Sequence, residues 1–90
     1  MIITANGAFK LKTTGKASAV YVDGDLGGGT ATVGMQTSSG YVPYKDDAGS
    51  DVVLDIGQQY EVRHGQNKDV YIDLTSSSNA SLNVSAYGLQ

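Results

Sequence analysis

Residues 69–74 read Asp69-Val70-Tyr71-Ile72-Asp73-Leu74, polar and apolar in strict alternation. A β-strand sends successive side chains to opposite faces, so this stretch predicts a strand with Val70, Ile72 and Leu74 on one side. The same period recurs outward from it. In 81–87, Leu82, Val84 and Ala86 oppose Ser81, Asn83, Ser85 and Tyr87, and in 60–64 Tyr60, Val62 and His64 oppose Glu61 and Arg63. Further toward the N-terminus, 52–56, 30–37, 17–23 and 8–13 alternate likewise, around Leu54 and Ile56, Val33 and Met35, Val20 and Val22, and Phe9 and Leu11. A shorter strand fits 41–45, where Pro43 confines it to an edge or a bulge.

The segments between these runs are turn chemistry. Ser38-Ser39-Gly40 reads as a tight hairpin loop, and Gly57-Gln58, Gly65-Gln66-Asn67 and Ser76-Ser77-Ser78-Asn79 separate the others. The stretch from Asp23 to Gly29 is rich in glycine and reads as flexible. Seven or eight short strands at regular spacing predict an all-β fold, a small antiparallel β-sandwich or a jelly-roll-like barrel. The expected core is Leu11, Val22, Val33, Met35, Leu54, Ile56, Val62, Ile72, Leu82 and Val84. The reading is a single domain over 1–90, with 1–7 as an N-terminal arm carrying two isoleucines, Ile2 and Ile3. The competing expectation is that these isoleucines begin an edge strand of the same sheet.

Composition agrees with strands. Leu, Ile, Val and Phe make up 20 of the 90 residues, valine leading, while Gly, Ser, Thr and Asn make up 32. Gly, Ser and Asn disfavour helix interiors and Val and Thr favour pleated strands, so almost no helix is expected. Without cysteine, neither a disulfide framework nor a Cys-ligated zinc supplements the core. A net charge of −3 argues against nucleic acid as the main partner. The longest apolar run, Ala19-Val20-Tyr21-Val22, is far too short to span a membrane, and the first residues do not read as a secretory signal. Charge is uneven: residues 1–16 carry Lys10, Lys12 and Lys16 and no acid, whereas 17–60 carry six aspartates against Lys45.

The inventory for catalysis is thin. His64 is the only histidine, and its register points it at the core rim as a structural residue. No nucleophile elbow, phosphate loop or His-rich metal motif accompanies it, so neither catalysis nor a cofactor is expected. Asp23 and Asp25 offer oxygen ligands suited to calcium, as do Asp46, Asp47 and Asp51, but no glutamate closes either loop as in an EF-hand. An Asx turn accounts for such aspartates equally well. Tyrosine is the remaining resource. Tyr60 falls on a core register, whereas Tyr21, Tyr71 and Tyr87 fall opposite the main apolar set. Outward tyrosines suit cross-strand packing, a protein interface or a sugar-stacking platform.

The run Gly28-Gly29-Thr30-Ala31-Thr32-Val33 is followed by Ser38-Ser39-Gly40-Tyr41-Val42-Pro43. Then come Gly57-Gln58-Gln59-Tyr60-Glu61-Val62-Arg63 and Ala80-Ser81-Leu82-Asn83-Val84-Ser85-Ala86-Tyr87. Over about residues 27–88 this order resembles small all-β virion accessory proteins of tailed bacteriophages. The resemblance implies a head decoration or cement protein, or alternatively a head fibre or a neck or tail accessory. A carbohydrate-binding β-sandwich module is the rival expectation. The implied partner is the major capsid protein or another virion protein, within a virion assembled in the host cytoplasm, and the implied state is a homo-oligomer, a trimer by analogy. The interface residues expected on this reading are Ile2, Ile3, Lys10, Lys12, Tyr21, Tyr71 and Tyr87.

Overall fold

The computed structural model describes residues 1–11, 15–65 and 69–89, and the expectations for Lys12 and for the end of the Gly65-Gln66-Asn67 turn lie outside them. The described chain is all β. Nine strands are defined: β1 (Ile2–Ile3), β2 (Gly7–Leu11), β3 (Ala17–Asp25), β4 (Thr30–Thr37), β5 (Gly40–Pro43), β6 (Val53–Leu54), β7 (Gln59–Arg63), β8 (Val70–Thr75) and β9 (Ser81–Leu89). They form two antiparallel sheets, one ordered β1-β9-β3-β7 and the other β2-β8-β4-β5 with β6 also paired to β4.

The alternation explains the stacking. Val20 and Val22 of β3 and Leu82 and Val84 of β9 turn inward from one sheet, and Val33, Val70, Ile72 and Leu74 turn inward from the other. All belong to a single buried cluster, so the two sheets pack face to face as a sandwich. Each such side chain contributes roughly 1.5–3 kcal/mol when it is removed fully from water. The hairpin between β4 and β5 turns at Ser38-Ser39, where the Thr37 hydroxyl donates to the Gly40 carbonyl over 2.8 Å.

Tyr44 still donates its N–H to the Val33 carbonyl of β4 at 2.9 Å, and the chain leaves β4 only beyond it. Lys45 pairs with Asp51, and β6 takes the next place beside β4, opposite Ala31 and Thr32. Gly34, opposite Pro43, lets β5 approach β4 closely, because a Cβ there would strike the Val42 carbonyl oxygen.

Five expectations are corrected. Met35 keeps the core register but is 39% exposed, because it lies at the hairpin end of β4, past the buried cluster. Ile56 is 38% exposed, because β6 stops at Leu54 and Asp55–Gln58 form a turn closed by a Gln58 N–H to Asp55 carbonyl bond. The N-terminal residues are not a free arm. Ile2 and Ile3 pair with Asn83 and Leu82 of β9, and Ile3 is buried in the domain's own core while Ile2 points out. A side chain so buried is not available to a neighbouring subunit.

The fourth correction concerns the glycine-rich stretch, which packs rather than flexes. A Cβ on Gly29 would lie 2.5 Å from the Thr75 carbonyl oxygen, so the absent side chain lets this turn nest against residues 75–80. The Ser78 N–H donates to the Gly27 carbonyl, and Asn6 clamps the Ser77 backbone through two hydrogen bonds. Tyr60, expected in the core, packs on its rim half-buried, and its hydroxyl accepts from the Asp55 N–H.

Truncation separates the true core from the residues that only share its register. Leu74→Ala and Ile3→Ala are each expected to cost about 2–5 kcal/mol, whereas Ile56→Ala and Ile2→Ala cost less than about 1 kcal/mol. Urea unfolding of the four variants checks this ordering.

Candidate functional site

His64 follows β7 directly and is buried with Ser18 between the sheets. Its Nδ1 lies 2.7 Å from the Gly65 carbonyl oxygen, which can only accept, so Nδ1 carries the proton of the neutral ring. Nε2 then accepts from the Ser18 hydroxyl at 2.8 Å. The atoms resemble a serine–histidine dyad in spacing only. Ser18 has no exposed surface, so its hydroxyl offers no route to an incoming carbonyl, and the pair serves to satisfy two buried polar groups.

The aspartates are occupied by their own backbone. Asp23 accepts from the Gly24 N–H at 2.8 Å and Asp25 from the Gly27 N–H at 2.7 Å. Asp46 accepts from both Ala48 and Ser50 at 2.9 Å, and Asp51 pairs with Lys45. Asp25 and Asp46 close Asx-type turns through the N–H two residues on, and among the described residues no group of three His, Asp or Glu side chains could hold a metal ion. Lys10 is exposed and pairs loosely with Asp69 at 3.4 Å, which offsets part of the N-terminal positive charge.

The structure separates the outward tyrosines that sequence register grouped together. Tyr21 and Tyr87 share the outer face of the β1-β9-β3-β7 sheet, where Tyr21 pairs with Ser85 and Tyr87 with Ala19. The Tyr87 hydroxyl donates to the Gln59 side-chain oxygen, carrying the ring across β3 and covering Ala19, which is fully buried although it points outward. Tyr87 itself stays 48% exposed, and Ile2 of β1 is 68% exposed on the same face, beside Asn83. The result is an open sheet face bearing two tyrosines and an isoleucine among Ser, Asn and Gln side chains, with Asp23, Glu61 and Arg63 also on it.

Tyr71 sits on the opposite face of the molecule, outside β8, where it pairs with Lys10 and Gly34. Its aromatic neighbour is Tyr41, whose hydroxyl bonds Thr32 Oγ1 at 2.9 Å and leans across Gly34. Burial pushes the Tyr41 hydroxyl up to about 12, with Asp73 and Asp51 adding to the shift and the Thr32 hydrogen bond opposing it. Burial also raises Tyr44. Register alone did not single out Tyr41; the signal that could have done so is Gly34, a gap in an otherwise side-chain-bearing strand. Open clefts also mark the surface. One of about 670 Å³ lies between Met35, Tyr44, Arg63, His64 and Tyr71, and one of about 370 Å³ has Val33, Val52 and Val62 among its lining.

No family model, curated protein or solved structure matches this chain.

Ser18→Ala strips the buried His64 Nε2 of its partner and is expected to cost about 1–3 kcal/mol, read from thermal unfolding. Tyr41 binds its proton more tightly folded than unfolded, so its contribution to stability is intact below about pH 10. That contribution is lost as pH rises toward the folded value of about 12. Ultraviolet titration should show tyrosinate still forming late, and Tyr41→Phe should remove the latest phase.

Proposed function

We propose that this chain is a structural protein of a tailed-bacteriophage virion, a capsid decoration or cement protein without catalytic activity. It docks on the assembled head through the outer face of the β1-β9-β3-β7 sheet. The observation that carries this reading is the open face itself: Ile2, Tyr21 and Tyr87 stand on it, and no described element covers it. Tyrosine is enriched at protein interfaces because a large, stiff ring there brings contact area together with a polar tip. The resemblance over residues 27–88 supplies the virion context.

The role has a plain physical basis. A protein that binds only the assembled shell shifts the equilibrium toward that shell, by an amount that grows with its concentration over its dissociation constant. Many copies on one particle multiply a modest contact into a large total stabilisation. The chain's own compact core provides a rigid base, so little ordering cost is charged against each contact.

The purified protein is expected to bind undecorated phage heads and raise their melting temperature. Tyr21→Ala combined with Tyr87→Ala should lower occupancy at least about tenfold while leaving the domain's circular dichroism unchanged. Heads that bind neither protein, together with titration of the isolated domain by a soluble oligosaccharide, would overturn the reading in favour of a sugar-binding module.

A further inference from the structure

The geometry points to a two-fold dimer of this chain, formed by antiparallel pairing of the Ser85–Leu89 half of β9 with the same segment of a second copy. The first observation is an unequal treatment of strand edges. An exposed edge offers unpaired N–H and C=O groups to any passing strand, and charges, proline or shortness block it. β2 carries Lys10, β5 carries Pro43, β7 carries Glu61 and Arg63, and β1 is two residues long. The segment Ser85-Ala86-Tyr87-Gly88-Leu89 has none of these guards.

The second observation is hydrogen-bond phase. Met1 and Val84 exchange both backbone bonds, Met1 N to Val84 O at 3.0 Å and Val84 N to Met1 O at 2.7 Å. Val84 therefore aims its backbone groups at the β1 side. β9 pairs with β3 in unbroken register from Ser81 to Leu89, so no bulge resets the alternation. Ala86 and Gly88 consequently aim their N–H and C=O groups to that same side, where among the described residues β9 has no strand partner beyond Val84.

The third observation is that this stretch complements itself. An antiparallel copy centred on Tyr87 sets Ala86 opposite the other copy's Gly88 and Gly88 opposite its Ala86, which makes four backbone hydrogen bonds. The added strand reaches Leu89 opposite Ser85 and stops where Met1 already holds Val84. The two four-stranded sheets become one continuous sheet, and both Tyr87 side chains lie on its outer face, their Cβ atoms about 5 Å apart. This pairing is independent of any shell and stands whether or not the protein decorates one.

Sedimentation equilibrium of the wild-type chain is expected to give twice the 9.4 kDa of one chain, reversibly with concentration. Tyr87→Lys and Tyr87→Glu each set like charges opposite one another and should weaken the dimer by about tenfold or more, while an equimolar mixture of the two should restore it. Gly88→Pro, which removes an edge N–H without adding charge, should also give a monomer with unchanged circular dichroism. A wild-type monomer at the highest soluble concentration, a trimer, or a dimer indifferent to all three substitutions would overturn the proposal.

Discussion

Everything in this molecule depends on two sheets burying one another. The inward stripes of β3 and β9 on one side, and of β4 and β8 on the other, form a single cluster that contains all the large, fully buried aliphatic side chains. A chain of 90 residues has little area to bury, so the stripes must be filled without error. That demand explains the strict alternation of valine, isoleucine and leucine with polar residues. It also explains why Ser18 and His64, polar residues buried inside, are bonded to each other and to the backbone, since an unpartnered polar atom there would cost more than the bond contributes.

Close approach of backbones is the second device. Gly29 lets its turn settle against Thr75 and Ser77, and Gly34 lets β5 lie close beside β4 where Tyr41 leans over it. In both places the missing side chain creates contact rather than freedom. Asn6 adds a polar clamp on Ser77, tying the start of the chain to the loop between β8 and β9. Together these contacts hold the ends of the sandwich where aliphatic packing thins out.

With the interior spent on packing, and Asp23, Asp25 and Asp46 held by loop backbone, the chemistry available to a partner is on the outside. Tyrosines stand on both outer sheet faces, and one strand edge lacks the charge, proline or shortness that blocks the others. Such surfaces suit docking. The outer face of one sheet and the edge of the same sheet are different surfaces, so a strand-paired dimer would leave its tyrosine-bearing face uncovered and double its extent.

The sequence by itself determined the strands and their inward faces, because a period of two is local: Val70, Ile72 and Leu74 share a side wherever the strand goes. It likewise marked the Ser38-Ser39 hairpin and the inward histidine. It did not determine where a face stops being covered, so Met35 and Ile56 kept the right register and still lie in the open, and Ile3 was buried while its neighbour Ile2 was not. Nor did it say which outward tyrosines would meet. Register puts Tyr21, Tyr71 and Tyr87 on outer faces alike, but only the order of strands places two on one sheet and the third beside Tyr41 on the other. Strand order, sheet assignment and edge exposure arise from pairings between residues far apart in the chain, and no local pattern of side chains encodes them.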